Sequence, residues 1–429
     1  MTYDFRSPRR SSKSARDAYL ERRERRQREL LRRDGFPLSL GVIADRDNLY
    51  RCYRELAYRG GRAAGVDGLR YPDLSQYEAG DLVGDLSGRV LDKSYRPQPP
   101  RRVEIPKPGT TRTRTLSIPA VLDRVVAKAV HDALSPHWEE RFLPCSWGFR
   151  PGKSTWGMLA TVAACVRETG RTVLAIDDVR TAFDTIPHDA VIAAHRKLFR
   201  TVAAGTEHTL SRADVRRAEN DLLWLVEAVL GLAAGGRGIA QGNNYSPDAL
   251  NAVVHDYLDE PMSGKLGLPQ WFRYADNVCS LVRCVSEGTK ALAAVRRCLA
   301  PLGMSLRGED GVSDLRDDAG PQLLGFTVGF GKGKVVYGLG ERAWDHLRRG
   351  LERSLEHDHP SEAARRTLLG WVDSCGPAFE SGDVDATDAL SVAAEYGYRE
   401  LATAADLRQR ARDARDAWVG VKARTRGRR

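Results

Sequence analysis

What this sequence lacks narrows its reading first. No apolar run in its 429 residues approaches the roughly 20 that a membrane-spanning helix needs, so no membrane partner is expected. The opening stretch, MTYDFRSPRRSSKSARDAYLERRERRQRELLRRDG, has no apolar core of the kind a secretion signal carries. Its glutamates mixed with arginines also argue against a transit peptide, and the chain is expected in the cytoplasm. The seven cysteines, Cys52, Cys145, Cys165, Cys279, Cys284, Cys298 and Cys375, form no Cys-x-x-Cys pair and have no histidine at zinc spacing. Reduced, mostly buried thiols are the reading. No segment repeats along the chain.

What is present is basic. The formal net charge is +10, gathered at the Arg-rich opening and at the closing DAWVGVKARTRGRR. Cations grouped in this way attract polyanions by counterion release, which favours nucleic acid over membrane. For residues 15–33 a solvated helix face serves as well, because Glu21 with Arg25, Glu24 with Arg28 and Glu29 with Arg33 sit at i, i+4 spacing. A chain of this length, 42% hydrophobic and 29% charged, is expected to divide into two or three globular substructures.

Punctuation and periodicity predict a charged helix ending near Asp34-Gly35 and a second from Ile43 to Tyr58. Tyr95 to Pro119 reads as two strands around a Gly turn, residues 120–141 as a helix, and Arg171 to Val179 as a buried strand ending in acids. Helices are predicted over Arg212 to Leu232, over DALNAVVHDYLDEPM, and from about Glu287 to Leu302. Between the last two lies WFRYADNVCSLV, Trp271 to Val282, a hairpin with Asp276 at its turn. Carboxylates at a strand end and a hairpin turn can converge on a pair of divalent cations. Taken singly, such aspartates are more often merely solvated.

The order of short motifs is far more specific than any one of them. DVRTAFD (Asp178 to Asp184), AQGNNYSP (Ala240 to Pro247), RYADN (Arg273 to Asn277) and LLGF (Leu323 to Phe326) follow one another with the order and spacing of reverse-transcriptase motifs. With AAGVDG, RRVEIPKPG, RTLSIPAVLDRVVAKAV and SWGFRPGKS before them, residues 45 to 335 resemble the bacterial group II intron-type enzymes. LLGWVDSCGPAF (Leu368 to Phe379) is more faintly similar to the start of their maturase or thumb region. The resemblance implies an α+β right-hand polymerase. Its parts would be a basic N-terminal helical extension (1–40), fingers (41–170), a palm of antiparallel sheet and helices (171–335), and a helical thumb or maturase-like remnant with a basic tail (336–429).

It also implies roles, residue by residue. Asp178 and Asp276 would ligate Mg²⁺, as two ions with Mn²⁺ as a substitute, and the Val179 carbonyl would be a further ligand. Asp177 would add only negative field. Phe183 would lie beneath the incoming sugar and select deoxynucleotides. Lys107 and Arg114 would hold the triphosphate, and Gln241 and Gly242 would pack beneath template and nucleotide. Arg150 and Lys153 would meet template phosphate, and Gly325 and Phe326 would belong to the primer grip.

Two departures stand out. The family's hairpin normally reads Tyr-x-Asp-Asp, whereas here Asn277 replaces the second acid, which keeps an oxygen but loses a charge. Where the family usually has a lysine in the segment LGMSLRGEDG, this chain has Asp310. The end at Arg429 without a Cys/His-rich endonuclease segment favours a free-standing relative, such as a phage-defence reverse transcriptase. The expected activity is RNA-directed DNA synthesis on a DNA or RNA primer from deoxynucleoside triphosphates, with a structured non-coding or intron RNA as a further candidate partner. The alternatives are a catalytically weakened RNA-binding maturase or scaffold, and an untemplated or protein-primed DNA polymerase.

Overall fold

In the computed structural model the residues described are 36–426, apart from 60, 62, 107–112, 206–209, 267–269, 310 and 318–319. The expected N-terminal extension therefore lies almost wholly outside the described residues, as do Lys107 and Asp310. Helices and strands form two compact units, each assembled from three stretches of sequence. Of the described residues, the first comprises those up to 102, those within 117–140 and those within 188–248; the second takes those within 103–116, 141–187 and from 249 on.

The first unit is helical. Its main elements are Arg46–Arg59, Gln76–Leu91, most of Val121–Arg141, His188–Gly205 and Arg212–Leu230. The Gln76–Leu91 helix starts in a capping box, in which Ser75 accepts from the Glu78 N–H and Glu78 accepts from the Ser75 N–H. Its apolar face is Ala79, Val83, Leu86 and Val90, all buried. At the centre of the unit lies a polar chain whose members are all buried. Trp138 Nε1 donates to Tyr245 Oη at 3.1 Å, and Tyr245 Oη in turn lies 2.6 Å from His195 Nε2. His195 Nδ1 donates to the Val191 carbonyl at 2.7 Å, so Nε2 is the acceptor for the tyrosine hydroxyl.

That arrangement makes a pH prediction. Burial pushes the His195 pKa down from its ordinary 6.5 to about 4. Below pH 6.5 the unfolded chain takes up a proton that the folded chain refuses, so this contribution to stability is complete above about 6.5 and is lost as pH falls toward 4. The shift corresponds to roughly 3 kcal/mol. Urea titrations at pH 7.5 and 4.5 should show a drop of that order in the wild type. The His195→Gln variant, less stable at neutral pH, should lose markedly less over the same window; an equal loss would remove His195 as the cause.

The second unit holds the sheets. Strand β3 (Val173–Asp178) is central in a four-stranded antiparallel sheet ordered β4-β5-β3-β6, with β4 at Trp271–Tyr274, β5 at Asn277–Val282 and β6 at Val312–Asp314. Five of the six β3 residues are buried, as a strand covered on both faces requires. Its apolar side chains Leu174 and Ile176 join Phe272, Cys279 and Leu281 in one core with the Thr155–Thr169 helix. On the other side the Val285–Leu299 helix brings Gly288 so close that a Cβ would lie 2.4 Å from a Val312 methyl and 3.3 Å from Ala175. A three-stranded sheet, β7 (Gln322–Leu323), β8 (Phe326–Gly331) and β9 (Lys334–Leu339), adds Phe326, Val328 and Tyr337 to that core. The helices Glu341–Ser354, Pro360–Ser374 and Ala404–Arg426 contribute Leu347, Leu368 and Leu407 to a second cluster.

The predicted β1–β2 hairpin (Arg101–Pro106 and Thr113–Ile118), the Val121–Arg141 helix and the Trp271–Val282 hairpin all form. Six of the seven cysteines are buried and all are free thiols. Among the described residues no helix is long and apolar enough to cross a membrane. The basic C-terminal tail is helical, but part of its charge is met within the chain: Arg410 pairs with Asp373, and Lys422 with Glu380.

Candidate active site

β3 and β5 pair antiparallel with Asp178 opposite Asn277 and Asp177 opposite Val278. Directly opposed residues project from the same face, so Asp178 and Asn277 share a face, and Asp276 precedes Asn277 in the tight β4–β5 turn. The turn is anchored to β3, because the Val179 N–H donates to the Asp276 carbonyl at 2.9 Å. Asp177 points the other way. It is buried and accepts from the Asp178 N–H at 2.8 Å and from the Gly308 N–H at 3.0 Å, which ties β3 to the segment returning beside it. That segment continues the pairing: Val179 bridges Leu306, and the Arg307 N–H donates to the Asp178 carbonyl at 2.7 Å. Arg307 Nη2 lies 2.9 Å from Asp178 Oδ2.

The turn itself is held from below by Arg273, a fully buried cation in the Arg-Tyr-Ala-Asp-Asn motif. Its Nε lies 2.9 and 3.0 Å from the two Asp259 carboxylate oxygens, and Nη2 lies 2.6 Å from Oδ2. Nη1 donates to Asn251 Oδ1 and to the Ala275 carbonyl, both at 2.8 Å, and Nη2 also reaches Ser146 Oγ at 2.8 Å. Asn251 passes the support on by donating to the Gly148 carbonyl at 2.9 Å. Gly148 fits against the turn so closely that a Cβ would fall 2.3 Å from the Ala275 nitrogen. Sequence reasoning missed Asp259, Asn251 and Ser146 as supports of the acids; the signal was an arginine placed inside an otherwise apolar strand.

The loop that Asn251 grips presents Phe149, 51% exposed with φ +59°, a backbone conformation that bulky side chains rarely adopt. Its ring stands edge-on to Phe183 at 6.3 Å. Phe183 follows the acid strand directly, on the short Ala182–Thr185 helix.

Other expected residues fall as follows. Arg150 does not face outward as expected for a phosphate contact. It is buried, donates to the Leu143 and Ser146 carbonyls at 2.8 Å and lies over the Phe142 ring, because the loop's carbonyls need a donor where water cannot reach. Lys153 is half-buried with its ammonium 4.2 Å above the Trp147 ring. Phe326 is likewise turned into the core rather than toward a primer, since β8 alternates and places it inward. Gly325, at φ +89° in the β7–β8 turn, is the exposed member of that pair. Arg114 lies in β2, with its side chain outside the description. Gln241 and Gly242 belong to the first unit. There the Gln241 carbonyl accepts from the Ser117 N–H at 2.7 Å, and Gly242, at φ +115°, occupies a conformation that only glycine adopts without strain.

The acids suit a hard cation. Burial raises the Asp276 pKa, an effect only partly offset by Arg307, Arg273 and a hydrogen bond from Asn277. A half-buried carboxylate whose charged form burial disfavours, beside a second carboxylate and an amide oxygen, is a set of oxygen donors that a hard divalent cation would suit. A separate group, His255, Asp256 and Glu260, has ligand atoms within 4.8 Å of one another where the helix widens into a π turn over His255–Asp259. Asp256 is already paired there with Arg141 at 2.9 Å.

Residues 105–309 match the family model described as "Reverse transcriptase (RNA-dependent DNA polymerase)", a span that includes both acids and the turn between β4 and β5. The protein YkfC of Escherichia coli K12 is 32% identical over 226 residues, 51% of this chain and 56% of that one. The group II intron-encoded protein LtrA of Lactococcus lactis is 29% identical over 148 residues. Residues 105–309 thus form a reverse transcriptase domain, and the likeness to YkfC and LtrA is consistent with the group II intron type. The match to LtrA takes in 34% of this chain and 24% of LtrA, so the chain spans about half of one relative and a quarter of the other. Among solved structures, telomerase from Candida albicans in complex with a fragment of telomeric RNA aligns with a TM-score of 0.41 and 10% identity, over 82% of this chain and 71% of that one. The reverse transcriptase domain and the mixed helix-and-sheet architecture bear out the α+β, right-hand polymerase expectation.

Proposed function

We propose that the protein is an RNA-directed DNA polymerase that extends a primer on an RNA template with deoxynucleotides. The observation that carries this reading is the register that sets Asp178 opposite Asn277 and beside Asp276, inside the matched reverse transcriptase domain. The reaction joins the primer 3′-oxygen to the α-phosphate, breaks the bond to pyrophosphate and releases the 3′-hydroxyl proton. Asp178, Asp276 and the Val179 carbonyl would hold Mg²⁺, read as two ions, and Asn277 would contribute a neutral oxygen. Bound there, Mg²⁺ would supply the positive charge that favours the attacking and leaving oxygens.

The chain's own residues do the placing. Arg273 fixes the Asp276 turn, Asp177 fixes the return segment, and Phe183 offers a flat ring where a sugar would sit and a 2′-hydroxyl would clash. Lys107 and Arg114 would bind the triphosphate, and Gln241 and Gly242 the base pair. Fingers over 41–170, a palm over 171–335 and a thumb from 336 remain our division of the chain. The family likeness extends the reading to a structured RNA partner and a cytoplasmic setting, with phage defence as one role such a chain could serve.

The test is incorporation on a primed RNA template with Mg²⁺ or Mn²⁺, comparing wild type, Asp178→Ala and Asn277→Asp. A third acid opposite Asp178 should raise the rate severalfold and lower the Mg²⁺ needed, at some cost in stability without the ion, because like charges opposite one another repel. The neutral Asn277 favours one second reading, an RNA-binding protein with weakened catalysis. Salt-sensitive RNA binding with no synthesis by the wild type, and synthesis by Asn277→Asp, would establish that reading instead.

A further inference from the structure

Arg307 is placed by its backbone. Its N–H donates to the Asp178 carbonyl at 2.7 Å, its carbonyl accepts from Arg180 Nη2 at 3.0 Å, and the next N–H, of Gly308, is taken by Asp177. From that fixed point the side chain reaches forward. Nη2 lies 2.9 Å from Asp178 Oδ2, and Nη1 lies 3.6 Å from Glu309 Oε2. The Arg307 side chain is 34% exposed and that of Asp178 13%, so the guanidinium stands at the rim, tethered at its root and open to water at its tip.

Resting on the polymerase reading, we propose that Arg307 is a positioning residue that competes with the divalent cation for Asp178. A carboxylate oxygen engaged by a guanidinium at 2.9 Å cannot also face a hard cation, which binds oxygen at about 2.0–2.1 Å, without forcing two positive charges together. The cation therefore enters as the guanidinium leaves. Glu309 is the acceptor already within reach, so the displaced charge has a partner on the same segment. With the opposing residue a neutral asparagine, the cation competes against Arg307 without the extra attraction of a third acid. The site is thereby set to load only at higher cation concentration, or together with the phosphates that accompany a nucleotide.

Mn²⁺ binding to the full chain without nucleotide, read from the electron paramagnetic resonance of the free ion, tests this apart from activity. Arg307→Gln should bind Mn²⁺ about tenfold more tightly than wild type, Arg307→Lys should fall between, and Asp178→Asn should lose the site. Should the glutamine variant fail to fold, Glu309→Gln keeps Arg307 and removes its alternative partner; Mn²⁺ binding should then weaken about threefold. Equal or weaker binding in a folded Arg307→Gln, or no change in Glu309→Gln, overturns the competition while leaving the polymerase reading intact. Absence of Asp178-dependent Mn²⁺ binding in every variant overturns the cation site itself and the competition with it.

Discussion

Asp178→Ala is expected to cut deoxynucleotide incorporation at least about a thousandfold, a loss of roughly 4 kcal/mol in transition-state stabilisation, while RNA affinity stays within about twofold. The asymmetry follows from where the residue stands. Asp178 ends a central strand whose other five residues are buried, so the strand's register with β5 does not depend on its carboxylate. Backbone bonds to Arg307 and the side-chain bonds of Asp177 remain when the carboxylate is gone. On the proposed reading, what disappears is one of two charged donors for the cation, and one negative charge from the face where nucleic acid would bind, which can only help RNA to bind. Single-turnover primer extension paired with RNA binding across a salt series reads both quantities. Incorporation at the wild-type rate would remove Asp178 from the chemistry. A parallel collapse of RNA binding would mean that the substitution had damaged the fold.

The second large effect lies beneath the turn. Asp259→Ala leaves the Arg273 guanidinium fully buried without its bidentate partner, and breaking a buried pair from one side costs about 3–5 kcal/mol. The double variant Arg273→Met with Asp259→Leu removes both charges and should recover part of that stability, the rest being held back by the Trp271 indole and the acceptors that lose Arg273. It should not recover synthesis, because Arg273 also holds the Ala275 carbonyl and, through Asn251, the loop at Gly148. Urea unfolding and incorporation measured on the same three proteins separate the two consequences. If the double variant regains activity along with stability, the network serves the fold and not the placement of Asp276.

The acid-bearing strand and hairpin were legible because their information is local: apolar alternation ending in acids, and a turn between two strand-forming runs. The resemblance then named the residues that the register brings opposite one another. What lay beneath them was not legible. Arg273 and Asp259 look like surface residues on any hydropathy scale, and only their convergence across the fold makes each one's burial tolerable. Arg150 misled for the same reason, since a basic residue in a Gly-rich loop looks solvent-facing until the loop's own carbonyls require a donor. The Gln76–Leu91 helix was passed over because three glycines interrupt it and lower its propensity. Its capping box and apolar stripe outweigh that cost. Arg307 could be seen in the sequence, yet nothing local revealed that it would reach back to Asp178.

The sequence alternates between the two units, crossing from one to the other five times, the last crossing leading into the stretch from residue 249 that completes the second. A ribosome releases β3 long before the hairpin that must pair with it, and the first unit waits for residues 188–248. The first unit has all of its residues only at 248 and β3 its partner β5 only at 282, so a nascent chain holds its acids apart until about two thirds of the sequence has emerged. Long-range pairing of this kind slows folding and leaves strand edges open in the meantime. Expression at lower temperature, or with chaperones that shield such edges, should therefore improve the yield of folded protein more than any trimming of the chain.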